Sequence, residues 1–437
     1  MPRPVVIIHG WSDSSRSFRP LAKLLTEELG RSVEVISLAD YESRDDEVTY
    51  DDVVTAMDEA WDRRGLPRTP ASVDVIVHST GGLVIRDWLR RFSSAAATPI
   101  KHLVMLAPAN FGSPLAHKGR AFFGRVVKGW DSKKIFQIGA EILKGLELAS
   151  PYTWKLAMAD RFGTRDIYGA GKILCSVLVG NSGYGGIAAA ANEDGSDGTV
   201  RVSCANMNCV RVTADFSNPK FPRFDMIPST GKTAFCVMDG ENHGTITVRE
   251  KTNNPNTIPF ILKALTVEDA EFDGWCTQLD QETARVMALR ADDTYRHGYQ
   301  NTVFFVGDQF GRHVQDYFIE FYLEDKDASW FEEMFHRDAI RTTHAYGDDT
   351  AYRSIMIDCT TLHSRIDKPF ETMSISLTAL PRFSENKNVG YSTFTDQEIG
   401  AVKIPKPRMQ QVFQGNRTAL VEVMLKREQA EELFTLT

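Results

Sequence analysis

VDVIVHSTGGLVIRDWL, residues 73–89, joins two periodicities across a few small residues. Val73 to His78 is a β-branched run as long as a buried strand, and Leu83 to Leu89 carries apolar residues at helical spacing. Ser79 stands where one period gives way to the other, followed by Gly81 and Gly82. A serine on so short a turn has a strained backbone and an exposed hydroxyl, while small neighbours let strand and helix pack closely. The usual spelling is G-x-S-x-G, and here Val77 takes the first glycine's place. The plain alternative is a connection in which Ser79 only caps the helix, which serines do well.

The flanking chain alternates in the same way. Strand-like VVIIHG (5–10), SVEVISL (32–38) and HLVMLAPAN (102–110) alternate with helix-like FRPLAKLLTEEL (18–29) and YDDVVTAMDEAWDRRG (50–65). These strands are apolar runs, as expected where helices cover both faces of a parallel sheet. From about 113 to 170 the pattern is helical without a strand, which reads as a cap insertion; KILCSVLVG (172–180) resumes the sheet and IPFILKALT (258–266) ends it. Later segments such as NTVFFVG (301–307), DYFIEFYLED (316–325), YRSIMIDC (352–359), ETMSISLTAL (371–380) and TALVEVMLKR (418–427) read as strands without intervening helices. The expected fold class is α/β: an α/β-hydrolase domain over 1–268 with a helical cap insertion, then a β-sandwich-like domain over 269–437.

Charge supports that division. Residues 1–265 hold 32 Lys+Arg against 29 Asp+Glu, net +3, which leaves 18 against 29, net −11, for the rest. The total of −8 argues against a nucleic-acid partner. The first apolar run, PVVIIHGW, is too short for a secretory core, and no window offers the roughly 18 apolar residues of a membrane helix. The six cysteines form no CxxC pair and read as reduced packing residues of a cytoplasmic protein. No metal and no cofactor is expected, and no G-x-G-x-x-G follows a strand.

A nucleophilic Ser79 needs three further parts. Two backbone N–H groups must stabilise the charge on the reacting carbonyl oxygen. Thr80 supplies one, and Trp11 in the loop IIHGWSDSS supplies the other. A carboxylate should follow the strand after the insertion, where NEDGSDGTVRVS (192–203) offers Asp197, with Asp194 as fallback. Asp-Gly pairs are most often simple turns. A histidine should come later still, and only His243, in DGENHGTIT, lies between that acid and the helix ending the first domain. Ser79, Asp197, His243 is the chain order of the α/β-hydrolase triad, with His243 as general base and Asp197 as its orienting acid.

The insertion bears on substrate. Residues 117–148 carry Phe122, Phe123 and Trp130 together with Lys133, Lys134 and other cations. Beside an acyl-hydrolase site this reads as a membrane-facing lid, and equally as a cap packed on the core with a solvated basic face. In the acidic second half, DYFIEFYLED is apolar on both faces, as a central strand or one covered by a partner would be. Trp330, Phe331 and Phe335 are either core or surface aromatics that insert into a membrane.

Ser79 within HSTG, the SDGTV acid at 197, the NHG histidine at 243, the early HGW and the β-rich C-terminal half together resemble the PlaB-type bacterial phospholipases. The resemblance spans the chain, including the non-glycine at 77. It implies phospholipase A and lysophospholipase activity in a cytoplasmic enzyme, peripherally associated with the inner membrane and self-associating as a homo-oligomer. It also implies a C-terminal domain needed for activity. Three other readings stay open: a carboxylesterase or neutral lipase, an acyltransferase, and a lipid-binding scaffold on an inactive fold.

Overall fold

The sheet that carries Ser79 begins in its middle. In the computed structural model β1 (Val5–His9) is flanked on one side by β2 (Val33–Ser37) and on the other by β3 (Val73–His78). Residues 2–9, 15–37, 47–94, 97–116, 139–218, 221–249, 251–323, 329–365, 371–383, 388–392 and 402–430 are described. The sheet grows through β4 (Ile100–Leu106), β5 (Leu174–Gly180) and β8 (Ala234–Met238), in the order β2-β1-β3-β4-β5-β8, with every pairing parallel. Strand order reverses between β1 and β3, the place where a parallel sheet opens a crevice at its carboxyl edge. Ser79 follows β3 there.

The helices form for ordinary reasons. In α2 (Tyr50–Arg63), Thr49 and Asp52 close a reciprocal capping box, and Val53, Val54, Met57 and Trp61 bury one stripe. Trp61 stacks on Trp88 of α3 (Gly81–Phe92) with ring centres 4.8 Å apart, and Trp88 Nε1 donates to Asp58 at 2.8 Å. This fixes the helix that follows Ser79. Within the expected insertion lie α4 (Ala140–Leu146) and α5 (Pro151–Asp160), and no strand among its described residues. Ile142, Leu143 and Leu146 of α4 are buried, so this end of the segment is a packed cap. Phe122, Phe123, Trp130, Lys133 and Lys134 lie outside the described residues.

The chain divides into two compact units, 1–208 with 229–297, and 209–228 with 298–437. The boundary expected at 268 therefore falls at 297. The reason is α7 (Phe272–Leu289), which follows α6 (Thr257–Ala264) and packs on β8. Its Trp275 donates a buried 3.0 Å hydrogen bond to Ser176 of β5. The expected contiguous first domain is also interrupted, because the hairpin of β6 (Val210–Asp215) and β7 (Arg223–Pro228) belongs to the second unit.

That unit is a β-sandwich. One sheet runs β11 (Ile340–Ala345), β12 (Tyr352–Asp358), β9 (Tyr299–Asp308), β16 (Arg417–Leu425), β6, β7. The other runs β10 (Tyr317–Leu323), β13 (Thr372–Ala379), β15 (Val402–Pro405). Phe304, Val306, Ile357 and Val423 of the first share one core with Phe321 and Leu377 of the second. Phe331 and Phe335 are fully buried in that core and Trp330 packs against it, so these aromatics are structural. Within DYFIEFYLED, Tyr317–Leu323 is an edge strand, and Phe318 on its outer face is exposed.

Candidate active site

Ser79 has φ 55°, a left-handed conformation that costs a non-glycine residue of order 1–3 kcal/mol. The surroundings enforce it. Ser79 N–H donates to the Leu106 carbonyl at 3.2 Å, and the Ser79 carbonyl accepts from Gly82 at 3.1 Å and Ala109 at 3.2 Å. A Cβ at Gly81 would lie 2.9 Å from the Ile8 carbonyl oxygen, and one at Gly82 only 2.8 Å from Pro108 Cβ. The same absent Cβ at Gly81 would be 3.5 Å from Val77 Cβ, an ordinary contact. Val77 is thus tolerated because the helix side of the elbow supplies the room.

The helix after the serine is held by a buried ion pair. Arg86 Nε and Nη2 donate to Asp160 at 2.7 and 2.9 Å, and Nη1 donates to the Asn110 carbonyl at 2.8 Å. Both side chains are essentially excluded from solvent. This clamp ties α3 to α5 and to the loop after β4, the loop whose Ala109 N–H holds Ser79. Thr80 stands at the N-cap position of α3 without a side-chain capping bond, so the amino end of a twelve-residue helix begins beside the serine and favours developing negative charge.

Asp197 and His243 meet. His243 Nδ1 lies 2.8 Å from Asp197 Oδ2, and His243 N–H donates to the Asp197 carbonyl at 3.0 Å. Asp197 Oδ1 accepts the N–H groups of Thr199 at 2.9 Å and Val200 at 2.7 Å. An ionised carboxylate only accepts, so Nδ1 carries the imidazole proton and Nε2 presents a lone pair. Nε2 is buried and has no hydrogen-bond partner among the described residues, Ser79 Oγ included.

His78 links the two halves of the site. Its Nε2 lies 3.0 Å from the His243 carbonyl oxygen, to which it donates, and the two rings are 4.5 Å apart. The residue before the serine therefore touches the histidine. Behind His243, fully buried Glu241 accepts the N–H groups of Asn253 and Asn254 and the Thr257 hydroxyl at 3.0, 2.9 and 2.6 Å. Gly180 admits this loop, since a Cβ there would lie 2.1 Å from the Glu241 carbonyl oxygen. HSTG and DGENHG contain both His78 and Glu241, yet their partners are backbone atoms and side chains that motif reading does not reveal. Trp11 lies outside the described residues.

A second buried His–Asp pair shows what distinguishes the first. His102 Nδ1 contacts Asp74 at 2.7 Å, but its Nε2 is occupied by the Val267 carbonyl at 2.8 Å, and Arg31 and Arg3 also bind Asp74. With both nitrogens engaged, His102 is a structural tie. Among the described residues no three His, Cys, Asp or Glu side chains converge as metal ligands.

Residues 5–159 match the sequence model described as the Alpha/beta hydrolase family. No curated protein matches the chain by sequence. Phospholipase PlaB from Legionella pneumophila is similar in structure at TM-score 0.83 and 23% identity, over 100% of this chain and 96% of that one. The same protein in complex with thio-NAD gives TM-score 0.82 at 23% identity with the same coverage. The chain thus has the α/β-hydrolase fold, built over its whole length on the PlaB plan.

Proposed function

We propose that this chain is a serine hydrolase that cleaves acyl esters of glycerophospholipids and lysophospholipids. The observation that carries the reading is the Asp197–His243 pair with its open Nε2, reached through His78 from a strained Ser79. Ser79 Oγ attacks the ester carbonyl while His243 Nε2 takes its proton. Asp197 holds the tautomer and stabilises the imidazolium. The N–H groups of Thr80 and Trp11 serve the oxyanion. Collapse of the tetrahedral intermediate breaks the carbonyl–oxygen bond, and His243 protonates the departing lysophospholipid or glycerophosphodiester. Water, deprotonated by His243, then releases the fatty acid and restores Ser79.

Phospholipid as substrate is supported by the structural likeness to a phospholipase, PlaB, and by the basic, aromatic-bearing sequence of 117–138. The proposed place of action is a phospholipid membrane surface, with the chain cytoplasmic, peripheral to the inner membrane and a homo-oligomer. No described helix is long and apolar enough to cross a membrane. The test is hydrolysis of defined phospholipid vesicles by wild type and Ser79→Ala, with products identified by mass. Wild type should release fatty acid and lysophospholipid and Ser79→Ala neither. Cleavage of short soluble esters alone would sink the phospholipid assignment. A folded chain whose Ser79 resists a fluorophosphonate would sink the nucleophile.

A further inference from the structure

Asp197 and His243 are carried by separate loops, 192–203 and 239–247, and one further segment ties both. It is the stretch 290–297, which closes the first unit between α7 and β9. The stretch holds its own shape. The Asp293 carboxylate accepts the Tyr295 N–H at 3.1 Å and Arg296 Nη1 at 3.3 Å, and His297 Nε2 donates to the Ala291 carbonyl at 2.9 Å.

Toward the acid, the Tyr295 carbonyl accepts the Gly195 N–H at 2.6 Å, and the Tyr295 hydroxyl lies 3.2 Å from Ser196 Oγ. Gly195 and Ser196 are the two residues before Asp197. The single hydroxyl proton of Ser196 goes to the Glu193 carbonyl at 2.6 Å, so Tyr295 is the donor to Ser196. Burial pushes the pKa of that phenol up, and the charges of Asp197 and Asp194 add to it, so the proton stays. Toward the base, Arg296 Nη2 donates to Ser182 Oγ at 2.9 Å and Nε to the Asn181 carbonyl at 3.3 Å. Ser182 N–H in turn donates to the Glu241 carbonyl at 2.9 Å, and Asn181 Oδ1 accepts the Gly240 N–H at 2.9 Å. Arg290 adds two bonds to the Asp239 carboxylate, at 3.1 and 2.8 Å. The segment therefore grips the acid loop just before Asp197 and the base loop just before His243. Catalytic groups reach productive geometry only when the residues behind them are held as well.

We infer that Tyr295 and Arg296 are positioning residues of the triad, acting through Ser196 on Asp197 and through Asn181 and Ser182 on His243. The inference rests on the proposed hydrolase reading, whose acid and base it serves. The full chain is compared as wild type, Tyr295→Phe, Arg296→Met and Arg296→Lys. Asp273→Asn is the control, since it breaks only an exposed ion pair between α7 and Lys232. On a short soluble ester, Tyr295→Phe and Arg296→Met should each lower kcat about tenfold, with KM within about twofold of wild type and Tm within a few degrees. Arg296→Lys keeps a cationic donor and should recover part of the loss, and Asp273→Asn should match wild type. The proton on His243 Nδ1 gives a low-field 1H NMR resonance. It should shift or broaden in Tyr295→Phe and Arg296→Met and stay in place in the control. Wild-type kcat with an unmoved resonance in both variants would overturn the inference, as would a rate loss that tracks Tm or is equal in Asp273→Asn. The resonance is read without turnover, so the two readings fail separately. An unmoved resonance sinks the brace, whereas an inactive wild type whose Ser79 resists a fluorophosphonate sinks the hydrolase.

Discussion

Asp197→Asn is an informative substitution because the backbone around it dictates how the new amide must sit. Oδ1 of Asp197 takes two N–H groups, from Thr199 and Val200, and Oδ2 takes the His243 Nδ1 proton. Asparagine keeps one oxygen and gains an NH2. Turning that NH2 toward the two backbone donors would forfeit two buried hydrogen bonds, about 2 kcal/mol or more. The oxygen therefore stays there, and the NH2 faces Nδ1. Nδ1 becomes the acceptor, the imidazole proton moves to Nε2, and His243 can no longer take a proton from Ser79. A triad held in that tautomer loses about 10⁴-fold in kcat, or about 5.5 kcal/mol at 1.36 kcal/mol per tenfold. The fold is expected to lose little, with Tm within a few degrees of wild type. Initial rates on a short nitrophenyl ester and on phospholipid vesicles, beside thermal unfolding, measure both effects. A folded variant within about tenfold of wild-type kcat would remove Asp197 from the triad, whereas Asp194→Asn should stay near wild type.

Val77→Gly, which restores the ordinary spelling of the elbow, should cost about 2–4 kcal/mol in denaturant unfolding and raise kcat not at all, because Gly81 already makes the room. A faster enzyme would contradict this. Asp160→Asn leaves Arg86 buried without its counter-charge and should cost about 3–5 kcal/mol. It should also slow fluorophosphonate labelling of Ser79 through the loop after β4, and unchanged urea unfolding would refute the clamp. All six cysteines are buried and none is in a disulfide. Burial pushes the thiols of Cys175, Cys204 and Cys236 up to about 12 and that of Cys276 to about 11. They stay protonated at pH 8, so Ellman's reagent should find them silent until the chain unfolds, and a rapidly reacting native thiol would contradict their burial.

The first unit was legible where strands are buried on both faces, since such runs admit few other readings. Short AFCVM of β8 was missed, as was α7, whose allegiance is set by Trp275 reaching Ser176. The β6–β7 hairpin was illegible for a deeper reason. The alternation of β6 suits many sheets, and the partner β6 finds, β16, lies far along the chain. That Asp197 and His243 meet was legible because α/β-hydrolase chemistry imposes a chain order on an acid and a later histidine. His78 and Glu241 were not legible, because their roles depend on a backbone carbonyl and a loop brought in from elsewhere.

The hydrogen bond from His78 to the His243 carbonyl has an entropic consequence. With its amide held by Asp197, its carbonyl by His78 and its Nδ1 by Asp197, the histidine retains little freedom beyond small ring librations. Ordering a side chain on association costs about 0.5–1.5 kcal/mol, and here folding has already met that cost. If His243 is the general base proposed above, substrate has to organise itself against a group already in position, and its binding free energy remains available for the transition state.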